Sequence, residues 1–192
     1  MQMNKRADSS VSLHPLIADR WSPRAYDESA TMSGEDLTAI FEAARWAPSA
    51  FNAQPWKFIL GLRGDEKFET IASVLIPFNQ EWATRASALV LTNAITFRED
   101  GKVNPTALYD IGLAVSLMTV EANHRGYDVH QMSGFDTAAA KAKFPLGAGI
   151  EPVTCIAIGK RTSPDSLSEE IKARELAPRT RKALSEIVNI TW

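Results

Sequence analysis

The chain has 192 residues, 45% of them hydrophobic, and a formal net charge of −2. That length suits one domain or one protomer of a dimer, and that charge gives no global field favouring nucleic acid or an anionic membrane. A single cysteine, Cys155, excludes an intrachain disulfide and fits a reducing compartment, and no apolar run reaches the ~18 residues of a membrane span.

Met1 to Ser12 is polar and lacks the apolar stretch of a signal peptide. It reads as a flexible start, 1–12, to a single domain over 13–192, and a cytoplasmic protein is the expectation. After a short apolar segment (Leu13, Leu16, Ile17) comes Arg20-Trp21-Ser22-Pro23-Arg24. Pro23 stiffens the turn between two guanidinium groups, each a planar fork that fits phosphate bidentately. The segment is either a solvated turn or half of a phosphate clamp.

Ser33 then stands as an N-cap with Glu35 and Asp36 in the first turn, and Leu37, Ile40, Phe41 and Ala44 recur at helical spacing up to Pro48. The next stretch is Pro48-Ser49-Ala50-Phe51-Asn52-Ala53-Gln54-Pro55-Trp56. Two prolines bracket it, so the backbone there is rigid and non-helical. A hydroxyl and two amides lie inside the frame, and an amide offers both donor and acceptor to the edge of a flat heterocycle. A plain helix-to-strand link is the alternative reading.

Trp56 to Leu62 reads as a strand, Glu66 to Leu75 as a short helix, and the apolar run Ala88 to Ala94 as a strand covered on both faces. Asn104 to His124 is the longest helical pattern, apolar nearly all round, which calls for burial against a partner subunit or inside the core. Gly126 closes it. A strand at Val129 to Met132, a helix at Asp136 to Lys143 and a strand at Pro152 to Ile158 follow, and the rest, to Trp192, is polar and basic. Helices and strands alternate irregularly. The class is α+β, a mixed, mainly antiparallel sheet flanked by helices on both faces.

The two polar segments together resemble the FMN-dependent nitroreductase family. Its members carry an Arg-x-Ser-x-Arg/Lys element and, later, Pro-Ser-Ser-x-Asn-x-Gln-Pro-Trp. The matches are Arg20, Ser22 and Arg24, then Pro48, Ser49, Asn52, Gln54, Pro55 and Trp56. Ala50 departs from the pattern, since many relatives have a second serine there. The likeness continues through Asn79-Gln80-Glu81-Trp82, Tyr109-Asp110-Ile111-Gly112, Met132-Ser133-Gly134-Phe135-Asp136 and the arginine-rich tail.

The resemblance implies a three-layer sandwich in an intertwined homodimer, with the segment from about 160 to 192 wrapping the other protomer. It implies FMN at the interface. Arg20, Arg24 and Arg181 would hold the phosphate, with Arg179 beside them. Trp21, Pro48, Ser49 and Ala50 would line the cofactor. Ser22, Asn52, Gln54 and Asn79 would meet the ribityl chain and ring edge, and the Ser133-Gly134 turn would bring a backbone N–H to flavin N5. NADH or NADPH would supply electrons, and a small electron-poor acceptor such as a nitroaromatic or quinone would take them in a ping-pong cycle. A flavin reductase and a non-enzymatic FMN carrier are the alternatives.

Rival signals fail. Gly147-Ala148-Gly149 lacks the third glycine of a dinucleotide fingerprint, His14, His124 and His130 have no zinc-type spacing, and there is no Gly-x-Ser-x-Gly elbow. Cys155 lies in an apolar strand and reads as a buried, inert thiol. With no nucleophile, metal site or strong base, the chemistry falls to a cofactor.

Overall fold

The computed structural model describes residues 5–189; the ends of the expected flexible start and basic tail, 1–4 and 190–192, lie outside it. Four strands, β1 (Trp56–Leu62), β2 (Ala88–Ile95), β3 (Asp128–Met132) and β4 (Ile150–Gly159), form one sheet in the order β1-β2-β4-β3. Every pairing among them is antiparallel. The two central strands alternate between two cores. Ala88, Val90, Ile156 and Ile158 face one cluster, and Leu89, Leu91, Cys155 and Ala157 face the other. Both faces are covered, which is why β2 reads as one apolar run.

Helices α2 (Gly34–Arg45) and α5 (Ala107–His124) make the first outer layer, packing Ile40, Ala44, Ile111, Ala114 and Met118 onto the sheet. Ser33 caps α2, its hydroxyl accepting from the Asp36 N–H at 3.0 Å. Helices α3 (Glu66–Ala72), α4 (Pro77–Ala83) and α6 (Thr137–Lys143) cover the opposite face with Phe68, Ile71, Trp82 and Ala140. Gly61 allows α3 to lie against β1, since a Cβ there would stand 2.3 Å from the Phe68 nitrogen. Short helices α1 (Pro15–Ala18), α7 (Glu169–Leu176) and α8 (Leu184–Ile187) complete the fold.

Three departures from the sequence reading have physical causes. The helix expected over 66–75 stops at Ala72, because Leu75 bridges to Phe135 and pulls the chain across to the turn at Gly134. Trp56 is half-buried against one core, while Trp21 and Trp82 are buried. Helix α5 is buried on one side alone. Its other side exposes Leu108, Tyr109, Gly112 and Leu117, and Ile17 of α1 is exposed as well. Lys5 and Ala7, within the stretch expected to be flexible, carry fixed contacts: the Ala7 N–H donates to Ala18 O at 2.8 Å, and Lys5 is buried with its ammonium on Ala177 O.

Candidate functional site: a cationic cleft and a left-handed loop

The Arg20–Arg24 segment follows α1 and lies against β3 and the C-terminal tail. Lys5, Arg20, Arg24, Arg174, Arg179 and Arg181 line one cleft of about 210 Å³ together with Trp21 and Ser22. Arg20 donates to the Ser22 hydroxyl at 3.4 Å. Arg179 is tied into the frame, its guanidinium donating to Lys5 O and Ala18 O. Arg181 is exposed and donates to Thr180 O at 2.7 Å. Of the two tail arginines, Arg179 therefore braces the wall and Arg181 presents its charge.

These cations disfavour one another. Burial pushes the Arg20 guanidinium below its ordinary value, and the charges of Arg179 and Arg181 add to the shift. Burial also lowers Arg24 and Lys5, partly offset in each by Glu175. The Arg24 Nε and Trp21 Nε1 donors are buried without an acceptor among the described residues. A bound anion would relieve the repulsion among so many like charges in a partly desolvated cleft.

The floor beneath the segment is a buried imidazole. His130 Nδ1 lies 2.9 Å from Pro23 O, and its ring packs against Trp82 at a tilt of 38°, with centroids 4.5 Å apart. Burial lowers its pKa to about 4, with Arg24 and Arg20 adding to the shift. The ring is therefore neutral near pH 7 and serves as packing under the cations.

Arg20 and Ser22 also border a larger cleft, about 660 Å³, whose far wall is Gly112, Ser116, Thr119 and Val120 of α5. That volume is in the range of a cofactor site. Near the opposite outer layer, Asn79 on α4 donates to Gly134 O at 3.0 Å. The Ile76 N–H shares that carbonyl at 3.1 Å. A Cβ on Gly134 would come 2.6 Å from Asn79 Nδ2 and 2.8 Å from Ile76 Cδ1, so a side chain there would displace the ends of both. The Gly134 N–H has no acceptor among the described residues. Ser133 adds a carbonyl that accepts from the Phe135 N–H at 3.0 Å.

The Pro48–Trp56 loop stands elsewhere. Phe51 and Asn52 have φ of 54° and Gln54 has φ of 46°, all in the left-handed region. Each such residue costs roughly 1–2 kcal/mol in a chain of L-amino acids, less for asparagine. The Ser49 hydroxyl accepts from the Gln54 N–H at 3.0 Å, and Gln54 Nε2 donates to Asn52 O at 3.2 Å. Asp110, buried at the start of α5, accepts from the Ala50 N–H at 3.3 Å and from the Thr106 hydroxyl at 3.0 Å. The loop is thus pinned at its base and presents Phe51, Asn52 and Gln54 outward, with Pro48 exposed on its approach. Phe51 is 91% exposed, covered only by the Arg98 guanidinium 5.3 Å from its ring.

Within one chain the loop and the cationic cleft do not meet. The loop is anchored at Asp110 and none of its residues lines the cationic cleft; the groove's α5 wall begins at Gly112, about 3 Å along the helix axis from that anchor. The sequence reading missed Lys5, Arg174, Glu175 and the Asp110 anchor. For Glu175 a local signal existed: it lies four residues from the buried Ile171, on the inward side of α7. Asp110 was a carboxylate in an apolar helix, which needs a partner.

The comparisons agree with this geometry. Residues 17–76 match the Nitroreductase family. A solved structure described as an oxidoreductase containing FMN superposes with a TM-score of 0.90 at 32% identity, covering 98% of this chain and 96% of that one. A 15.4 kDa protein of Mycolicibacterium smegmatis is 35% identical over 142 residues, covering 68% of this chain and 92% of the relative. The major NAD(P)H-flavin oxidoreductase of Aliivibrio fischeri is 33% identical over 94 residues, 45% of this chain and 43% of that protein. The chain belongs to the nitroreductase family.

Proposed function

We propose that the protein is a homodimeric FMN-dependent oxidoreductase that takes electrons from NADH or NADPH and delivers them to an electron-poor small molecule. The observation that carries this reading is the cleft of six cationic side chains opening beside a cofactor-sized groove. An aryl or quinone substrate would not demand that much positive charge; a phosphate monoester does. The likeness at 32% identity to an oxidoreductase containing FMN supplies the identity of the phosphate ester.

In this reading Arg20, Arg24 and Arg181 hold the phosphate, with Arg179 as the brace that keeps Arg20's neighbourhood in place. Ser22 lies at the mouth of the groove and takes the ribityl end. The Gly134 N–H is a donor for the ring system, and Asn79 fixes that turn by holding the Gly134 carbonyl. Held by these residues, FMN would supply the two-electron redox chemistry between nicotinamide and acceptor. The chain's own part in this reading is to bind, orient and shield.

Two features support the dimer in this reading: no residue of the Pro48–Trp56 loop lines the cationic cleft or the groove, and one side of α5 is left uncovered. The exposed side of α5 carries Leu108, Tyr109, Gly112 and Leu117. A two-fold axis that packs this face on its copy would run the helices antiparallel and carry the Asn52–Gln54 loop of one chain toward the groove of the other. Trp21, Ser49 and Ala50 then support the site through the backbone and packing. With Cys155 reduced and buried, a cytoplasmic setting suits the reading.

Two measurements test it. Purified protein should be yellow, dimeric and able to oxidise NADH or NADPH with a nitroaromatic or quinone. Initial-rate plots at several acceptor concentrations should give parallel lines; intersecting lines would exclude the shared-slot cycle. The relative named as an NAD(P)H-flavin oxidoreductase favours one second reading, in which free flavin is the acceptor. Turnover with added flavin but none with nitroaromatics would select it.

A further inference from the structure

Glu175 is a carboxylate with no solvent exposure, set among cations. Both its oxygens lie 3.0 Å from the Arg24 N–H nitrogen, Oε1 lies 3.3 Å from the Ala25 nitrogen, and Oε2 is 3.8 Å from Arg24 Nη1. It is the penultimate residue of α7, and Ala177, Pro178, Arg179 and Arg181 just beyond the helix supply the other wall of the cleft. It therefore ties together backbone from both ends of the chain. Ala177 O also accepts from Lys5, and Arg179 donates back to Lys5 O, which closes the same loop of contacts.

Burying a carboxylate is costly unless it is paired and hydrogen-bonded. Burial raises the Glu175 pKa, and the Arg24 and Ala25 N–H groups, then Arg24 and Lys5, oppose that rise. A charge that disfavours an anionic ligand nearby and is costly to bury needs a positive reason to be there. The reason on the page is the backbone it holds: no other acceptor is found for the Arg24 and Ala25 N–H groups among the described residues.

We propose that Glu175 is a positioning residue for anion capture: it fixes the Arg20–Arg24 backbone against the tail so that the guanidinium groups converge on one phosphate. The proposal rests on the FMN reading above. It makes a prediction opposite in sign to simple electrostatics. Removing a negative charge beside an anion site strengthens anion binding if charge alone matters; it weakens binding if the carboxylate sets the geometry.

The test is titration of apo-protein with FMN and with riboflavin, which shares the ring and ribityl chain and lacks the phosphate, in wild type and Glu175→Gln. Glutamine keeps the shape and one oxygen acceptor but not the charge or the two-fold acceptance. The expected result is an FMN affinity about tenfold weaker in Glu175→Gln, as loss of one hydrogen bond to a charged group predicts, with riboflavin affinity unchanged. FMN binding that is equal or tighter in the variant overturns the positioning role and leaves the function standing. Equal weakening toward both flavins also overturns it, because that is general loosening of the fold. A wild type that binds both flavins alike, or neither, overturns the FMN reading itself and the inference with it. If Glu175→Gln fails to melt cooperatively, the same FMN-to-riboflavin ratio in Glu175→Asp decides, and a ratio unchanged from wild type there counts against the role.

Discussion

The cationic cleft and the Pro48–Trp56 loop are both polar and both near the surface, yet they are built by opposite means. The cleft is assembled from segments more than 150 residues apart, and buried groups (His130, Glu175, Trp21) brace it from below. The loop is local, held by Ser49 and Asp110, and it spends backbone strain to turn its side chains outward. A binding surface complete in one chain can be rigid from within. A surface that projects residues with no intrachain target is shaped for something outside the chain. Strain of this kind persists where surrounding structure over-determines it, and it gathers at functional sites.

The largest expected effect breaks the cleft from below with acid. His130 has an ordinary unfolded pKa near 6.5 and a folded value of about 4. Between those values the unfolded chain carries the proton and the folded chain does not, so stability rises with pH across the window and falls as pH drops through it. The full effect is about 3 kcal/mol, complete by about pH 4. Glu175 and Asp128, whose pKa values are raised chiefly by burial, act in the opposite direction over the carboxylate range. The His130 part is therefore read by difference. Urea melts from pH 7 to pH 4.5 should show a shallower pH slope in His130→Gln than in wild type. Identical slopes would mean that the ring is not held neutral.

Next in size is Arg20→Ala. Loss of one charge-assisted contact is worth about 1.5–3 kcal/mol, so FMN affinity should fall roughly ten- to a hundredfold. Riboflavin affinity should hold, and the thermal midpoint should move by little, because Arg20 braces nothing else of weight. Arg179→Ala sharpens the contrast. Its guanidinium holds Lys5 O and Ala18 O, so that variant should lose stability as well as affinity. Equal behaviour of the two would erase the distinction between brace and ligand.

A fourth variant tests the junction beside Asn79. A Cβ at Gly134 meets Asn79 Nδ2 at 2.6 Å and Ile76 Cδ1 at 2.8 Å. Overpacking of this kind costs about 1–2 kcal/mol, a fall of roughly 2–8 °C in a domain this size. Gly134→Ala should show that drop in a thermal melt, and an unchanged midpoint would mean the contact yields without cost.

What the sequence disclosed follows the range of the interactions involved. The central strands were legible because doubly covered strands are continuous apolar runs, and α2 because cap, acids and apolar spacing agree. Arg20, Ser22 and Arg24 were legible from spacing within five residues. Lys5 and Arg174 were not, and the spacing of Glu175 from Ile171 marks its burial but not its contact with position 24. Helices α4 and α7 were missed because their outward faces are polar and their inward faces short. The composition of α5 foretold burial on all sides, whereas the fold leaves Leu108, Tyr109 and Leu117 exposed. Within one chain that composition is excessive; on a surface shared with a second copy it is ordinary.

The smallest effect separates the loop from the cleft most sharply. Phe51 adopts φ of 54° although phenylalanine has no local means of stabilising that conformation. Glycine removes the left-handed penalty of roughly 1–2 kcal/mol and adds about 0.5–1 kcal/mol of unfolded-chain entropy. Phe51→Gly should therefore melt at the wild-type temperature or up to about 4 °C above it, since a gain of about 1 kcal/mol corresponds to that shift. No cleft residue offers this gain, because none of them has a left-handed backbone to relieve. A clear fall in the midpoint of Phe51→Gly would show that the exposed ring, stacked under Arg98, contributes more than its backbone costs, and the loop would then be a packed element rather than a strained one held ready for a partner surface.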